Sequence, residues 1–481
     1  MSAGTAFRPD MTNASAGEPG RAVESLPPMQ EQGAVAPSLS LRTPGAALPR
    51  AVPRLPGAGW IYVYVAIEIT CQLALLLPAL APARILFRSA ALGTSLAMFA
   101  LIPMRQSFPH PAKKFAAFVM VVLTMSALNP ASSTALAGIA HWSFYLAVMA
   151  PLFWVMRLEL PPQTLSRLLI IVWLFSTLSS VFGVLQVYFP GQFQPALSTM
   201  IRQEQVMAIR LSSGTWVVRP MGLTDTPGGA GWSGLYATLF GLGMTLAVPF
   251  RRARIAGVAS MIVGIMCIYL CQIRAMVVML GICSIVLLGL FAVSGRLSRL
   301  VFAASVAGLI AAIGFYMAFS VAGDTVTSRL ATLLEDDPSS VYRKNRGHFV
   351  ATAFKLLLPE YPLGAGLGRW GMMNQYFGNP DDGIWAEVQW SGWVIDGGIF
   401  LILAYPAAII VAIWRAMRVA LNPAAGERGL WAAVVSAHGV GSLALTFSYP
   451  IFMSTGGLQF WLINAVFVRS LFEPQSSERP S

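Results

Sequence analysis

Charge is scarce in this sequence: Asp, Glu, Lys and Arg make up 11% of its 481 residues, against about a quarter in an ordinary soluble chain. With 56% hydrophobic residues and a mean hydropathy of +0.66, the apolar excess is more than a core and reads as surface turned to lipid. Cysteine is sparse too. Cys71, Cys267, Cys271 and Cys283 all lie inside apolar runs. Cys267 and Cys271 share a helix face without a partnering His or Cys pair, so neither a disulfide framework nor a metal site is expected. No apolar stretch opens the chain. Residues 1–58 are rich in Pro, Gly, Ala and Ser, lack the hydrophobic centre of a secretory signal and read as a disordered tail.

What the chain has in abundance is apolar runs, each about long enough to cross ~30 Å of hydrocarbon as a helix. Twelve are read, near 60–80, 84–104, 114–128, 134–156, 167–189, 232–250, 254–272, 274–294, 299–320, 395–414, 429–447 and 452–471. The third is the shortest, and only Gln272, Ile273 and Arg274 part the seventh from the eighth. The expected fold is all-α and polytopic, with a transmembrane domain over 59–472 and a short tail over 473–481.

The formal charge of +12 invites a nucleic-acid reading, but its distribution is topological. Alternate loops carry Arg105, Lys113 and Lys114; Arg157 and Arg167; Arg251, Arg252 and Arg254; Arg296 and Arg299; and Arg415, Arg418 and Arg428. The opposite short loops carry almost none, Arg274 among the few, with Arg84 and Arg88 as exceptions. By the positive-inside bias both termini are expected in the cytoplasm, and nucleic acid drops out as a partner. Two long segments, 190–231 and 321–394, then face outward.

The second of these holds "PLGAGLGRWG", in which Gly366, Gly368 and Gly371 spell the dinucleotide fingerprint G-x-G-x-x-G. A nucleotide cradle needs a strand before the glycines and a helix after them. Here a helical run over 350–358 precedes them, followed by Pro359 and Pro362, and no nucleotide pool exists on the outer side. The fingerprint is therefore a false positive. Two readings stay open: backbone N–H groups that approach an anion closely, or a loop re-entering the bundle.

The outer charges suggest a chemistry. Positive residues gather around 342–355, where Arg343 and Arg346 share a face if that stretch is helical. Arg219 precedes one span and Arg274 stands at the outer end of another. Converging guanidiniums suit phosphate, because the planar fork donates in pairs; the competing reading is anchoring to lipid headgroups. A reaction outside the membrane must bring its own energy, as a lipid-linked pyrophosphate donor does. Glu387 and His348 are candidate bases for an acceptor hydroxyl. Asp381 and Asp382, in N-P-D-D-G, read as a turn, and Glu335, Asp336 and Asp337 as a solvated acidic loop. His141 and His438 fall in spans and read as interior histidines.

Several of these stretches together resemble the O-antigen ligase and Wzy-type polymerase superfamily, over roughly 215–415. "RPMG", Arg219 to Gly222, is similar to the family's Arg-x-x-Gly ahead of a span. "IRAMVV" is similar to its Ser-Arg opening a helix, with Ile273 in place of the Ser. Arg346 resembles the Arg that begins the helix before the glycines, and "YPLGAGLG", Tyr361 to Gly368, resembles a Pro-x-x-Gly-x-Gly-x-Gly run. "DGG", Asp396 to Gly398, fills the place of the family's Glu-x-Gly, and nine residues earlier Glu387 stands where ligases carry His.

The resemblance implies a GT-C-like glycosyltransferase of the bacterial inner membrane with a periplasmic helical lid, working without a cofactor on undecaprenyl-pyrophosphate-linked oligosaccharide. It implies polymerisation of exopolysaccharide or O-antigen repeat units, with a ligase as the alternative within the class and a lipid-linked oligosaccharide flippase outside it. Arg219, Arg274 and Arg346 would hold pyrophosphate, Glu387 or His348 would serve the acceptor, and Trp385 and Trp390 would stack on sugar faces. Arg343, Gly364, Gly366, Gly368 and Arg369 would line the substrate. A glycan acceptor, the bilayer and other polysaccharide assembly proteins are the implied partners. A flippase would carry paired halves or matching broken helices, and no such internal repeat is seen in the sequence.

Overall fold

A computed structural model of the chain describes residues 57–472, apart from 105–106, 196–207, 212–213, 215, 249, 324–325, 328–330 and 332–336. The two expected tails therefore lie outside the described residues, except that the first helix already begins at Gly57; Arg105, Glu335 and Asp336 lie outside them too.

Each of the twelve apolar runs coincides with a helix. These are α1 (Gly57–Ala74), α2 (Arg84–Leu101), α3 (Lys113–Ala127), α4 (Ala135–Met149), α5 (Thr164–Tyr188), α6 (Ala230–Ala247), α7 (Arg251–Cys271), α8 (Arg274–Val293), α9 (Leu297–Ala322), α10 (Gln389–Ala420), α11 (Gly426–Leu445) and α12 (Thr455–Ser470). Among the described residues seven are long and apolar enough to cross a membrane: α1, α2 with the turn before it, α5, α7, α8, α9 and α10. An eighth is α4 if Pro151–Arg157, bent from it by 43°, continues the same span. The protein is thus a largely helical membrane protein.

The other four helices depart from the simple reading for physical reasons. α3 and α12 have only 15 and 16 residues. α6 and α11 are long enough, but they interleave glycine, serine and threonine with apolar residues and are buried along most of their length. Neighbouring helices, rather than lipid, cover them. Small residues let backbones meet: a Cβ on Gly234 would lie 2.6 Å from the Gly264 carbonyl oxygen, and one on Gly257 2.7 Å from that of Gly241. The all-α expectation also meets one small departure. Ala208–Arg210 pairs antiparallel with Trp216–Val218, burying Ile209 and Val217 with Val187 of α5 and Leu270 of α7.

The bundle has two unlike ends. At one, the Arg157 guanidinium donates to the Phe99 and Ile102 carbonyls, Arg469 Nε to the Leu158 carbonyl and Arg296 to the Asn422 carbonyl. At the other lie the turns around 129–134, 219–229, 272–274 and 446–456 together with the stretch 338–388. The Glu68 carboxyl on α1 accepts from the Gln459 amide on α12 at 2.9 Å, tying the first helix to the last.

One interruption organises this second end. At Gly398 the backbone of α10 turns to φ 55°, ψ −142°, leaving helical hydrogen bonds unmade. The glycine loop supplies the missing partners: Ile399 N–H donates to the Pro362 carbonyl at 2.9 Å, and Ala365 N–H to the Ile395 carbonyl at 2.7 Å. A Cβ at Gly398 would stand 2.1 Å from the Pro362 oxygen. Gly398→Ala should therefore cost at least about 2 kcal/mol, through both backbone strain and the clash, and lower the melting temperature of the detergent-solubilised protein. Gly308→Ala in α9, where a new Cβ meets nothing within 4 Å, is the control and should leave melting unchanged or raise it through helix propensity.

Candidate active site

The stretch 338–360 is one helical rod of uneven pitch, in which normal turns alternate with two wide π turns, Arg343–Gly347 and Ala353–Leu357. Such turns are uncommon and recur at functional sites. Arg346 sits in the first. The rod rests on the start of α10, where the Ser391 hydroxyl donates to the Phe349 carbonyl at 3.1 Å. The Tyr342 hydroxyl donates to the Phe447 carbonyl in the next turn of the bundle.

Glu387 lies just before α10, outside any helix or strand, between a sharp turn and a pinned start. The turn is the N-P-D-D-G stretch, closed by the Asn379 side chain, which accepts from Asp381 N–H and donates to the Asp382 carboxylate. The start is fixed by buried Gln389, whose N–H donates to the Thr446 carbonyl and whose side-chain oxygen accepts from Phe452 N–H. Between these anchors the Glu387 carboxylate pairs directly with the Arg346 guanidinium, with the two side chains 30% and 39% exposed. Partial burial lowers the Arg346 guanidinium from its ordinary value, though an arginine stays charged in such a setting.

The other sequence candidates distribute around this pair. Arg343 approaches Asp337 at 3.8 Å, both well exposed. His348 is exposed, with its ring against Phe349. Arg369 is turned away, its Nε donating to the Asp382 carbonyl and its guanidinium over the Tyr361 ring. The two tryptophans differ: Trp385 is 73% exposed, whereas Trp390 donates to the Thr446 hydroxyl and packs against Phe354, Trp393 and Phe447.

Arg219 follows the small hairpin and meets the turn that leads into α8. A Cβ on Gly228 would lie 2.5 Å from the Ile273 side chain and 4.0 Å from that of Arg219. That turn forces Gln272 to φ 55°, the single positive value among the described non-glycine residues, and Arg274 opens α8 immediately after it. α8 runs antiparallel to α11, since Gly429 faces Arg296 while Gly441 faces Cys283 and Met279. The Arg274 end of α8 is therefore the end of α11 that holds Thr446 and, through it, Gln389. Arg219, Arg274, Arg346 and Glu387 share one end of the bundle.

The glycine run is a packing element. Gly364, Gly366 and Gly368, at φ 98°, 91° and 78°, are buried against backbone: a Cβ would come within 2.9 Å of Gly397, 2.6 Å of Ser132 and 2.6 Å of Ala137, respectively. The Gly364 N–H donates to the Tyr361 carbonyl and that of Gly368 to His141 Nδ1 at 3.1 Å. Of the two open readings, the re-entering loop describes this geometry.

A further group went unrecognised in the sequence, where Asp396 served only as a spacing marker and His141 as an interior histidine. The fully buried Asp396 carboxyl accepts from the Tyr145 hydroxyl at 2.7 Å and from Trp370 Nε1 at 2.9 Å. His141 Nε2 lies 3.4 Å from the same carboxyl, outside hydrogen-bond alignment. The available signal was an acid inside an apolar run, which at membrane depth demands a partner. His438 remains a packing residue, ringed by Tyr236, Phe240 and Phe460. The described residues hold no group of three or more His, Cys, Asp or Glu side chains able to bind a metal.

No protein-family model matches the chain, and no characterised protein is significantly similar to it in sequence. Replacing Asp396 tests the buried group directly. Asp396→Ala strands the Tyr145 and Trp370 donors, at about 1–3 kcal/mol each, whereas Asp396→Asn keeps the size and one acceptor and should lose roughly half as much. Thermal unfolding in detergent reads both, and equal losses for the two variants would show that a single amide oxygen cannot stand in for the carboxylate's two acceptors.

Proposed function

We propose that this chain is a glycosyltransferase of the bacterial inner membrane that polymerises polysaccharide repeat units, of exopolysaccharide or O-antigen, from undecaprenyl-pyrophosphate-linked donors on the periplasmic face. All twelve helices form its membrane domain, with N- and C-termini in the cytoplasm. The observation that carries the reading is a carboxylate set directly against an arginine, Glu387 on Arg346, at the bundle end that also holds Arg219 and Arg274. A carboxylate, where the resembling ligases carry His, favours the polymerase over the ligase.

In the proposed reaction the acceptor hydroxyl attacks the anomeric carbon of the donor sugar as the bond from that carbon to the pyrophosphate oxygen breaks. Undecaprenyl pyrophosphate leaves, and the hydroxyl proton passes to Glu387. Guanidiniums at the leaving group stabilise negative charge where it develops, and the shared bundle end aligns the two substrates. Trp385, exposed near Glu387 in sequence, offers a stacking face to a sugar.

Purified protein supplied with synthetic lipid-linked repeat units should build longer chains. Arg219→Ala, Arg274→Ala and Arg346→Ala should each cut extension by about 30-fold or more, with partial recovery in the Lys variants, which keep charge but lose the fork. Normal polymer yield from all three alanine variants would mark them as headgroup anchors.

Topology is tested separately. In a background lacking the native cysteines, Gln375→Cys should react with an impermeant thiol reagent in intact spheroplasts and Ser298→Cys should not, both positions being exposed. The reverse pattern would place the site in the cytoplasm and remove the mechanism.

A further inference from the structure

Among the described residues, besides the loose, well-exposed Arg343–Asp337 contact, two closer arginine–carboxylate pairs stand at the same end of the bundle, and they are built differently. In one, Arg88 donates through two nitrogens to Asp225, whose side chain is only 9% exposed; it is locked into the loop that follows the hairpin. In the other, both Arg346 and Glu387 are a third or so open to solvent, and neither stands on regular helix. Arg346 sits in a π turn and Glu387 on irregular chain before α10. In the second pair both partners are open, so an anion can reach the guanidinium and the displaced carboxylate can turn outward. In the first only Arg88 is exposed, and Asp225 stays largely buried.

A guanidinium closed on one carboxylate presents fewer N–H groups to a second anion. A pyrophosphate diester carries more charge than a carboxylate, and the Coulomb attraction scales with it. We propose that Arg346–Glu387 is the donor-free form of the site, and that the donor pyrophosphate and Glu387 compete for the same guanidinium. Donor binding is then what releases the Glu387 carboxylate to the acceptor hydroxyl. The inference rests on the glycosyltransferase reading above and adds an order to it: donor first, acceptor second. A carboxylate masked until the donor is in place cannot activate an acceptor, or water, prematurely.

The competition makes a prediction of unusual sign, since removing the proposed base should tighten the donor. An exposed ion pair is worth up to about 1 kcal/mol, which corresponds to about fivefold in affinity. The probe is undecaprenyl pyrophosphate, titrated against the full-length protein in nanodiscs. Glu387→Gln, which keeps size but not charge, should bind it about fivefold more tightly than the wild type. Arg346→Ala should bind it more weakly, and adding Glu387→Gln to Arg346→Ala should bring no gain, because the two residues act through one contact.

Equal affinity in wild type and Glu387→Gln, with Arg346→Ala weaker, overturns the competition while leaving the glycosyltransferase reading standing. A gain in Glu387→Gln that persists without Arg346 also overturns it, as the effect would then be general electrostatics. Absence of binding in the wild type and in every variant, all folded by their melting curves, sinks the lipid-pyrophosphate reading itself.

Discussion

Everything at the working end of this protein depends on how one helix break is closed. A chain at membrane depth has no water to satisfy exposed N–H and C=O groups, so irregular backbone persists only where other protein supplies the partners. α10 breaks at Gly398, and the loop 361–368 fills the gap with its own backbone. Glycine is required on both sides for this. Gly364 and Gly397 meet where no side chain fits, and Gly366 and Gly368 lie flat on Ser132 and Ala137. The Asp396 carboxyl, one turn of backbone away, clamps the assembly through Tyr145 of α4 and Trp370 beyond the glycines. Three segments distant in sequence are thereby fixed to one another, and the rod 338–360 and the irregular chain leading into α10 emerge from that fixed point.

Charge follows the same economy of placement. At the end holding 107–113, 157–164 and 421–428, arginines such as Arg157 and Arg469 bind backbone carbonyls at helix ends, where the helix dipole welcomes them. At the opposite end, among the described residues, arginines are matched to carboxylates: Arg88 to Asp225, Arg346 to Glu387 and, more loosely, Arg343 to Asp337. Arg88 was an exception to the alternation of basic loops. Its partner there is the largely buried Asp225 carboxylate.

The positions of the helices were legible in the sequence because long apolar runs leave few alternatives. What the runs could not reveal was which of them face lipid. α6 and α11 bury their small and polar side chains against neighbouring helices, a property of packing that hydropathy along one segment does not carry. The glycine run was legible as unusual, and its spacing alone suggested an anion cradle. Only the three-dimensional neighbours, Gly397, Ser132 and Ala137, turn it into a joint. Glu387 and Arg346 were each singled out, but their direct pairing joins residues about forty apart and has no local signature. Asp396 and His141 were in view as letters, yet the Tyr145 and Trp370 donors that give Asp396 its meaning come from different elements.

The break also bears on the choice between moving a lipid-linked glycan and reacting with it. Transporters use discontinuous helices to open backbone toward a substrate cavity near the bilayer centre, usually in matching positions of two halves. Here the freed backbone groups of α10 are occupied by the glycine loop, and the neighbouring carboxyl is spent on Tyr145 and Trp370. The joint is closed by these hydrogen bonds. The reachable charges, Arg346 and Glu387, sit instead where the fixed segments leave the bundle. Rigid elements hold a reactive group to within the fraction of an ångström that alignment of two substrates demands. A buried polar joint beneath a partly open ion pair is what a site needs if its scaffold must stay still while one salt bridge exchanges partners.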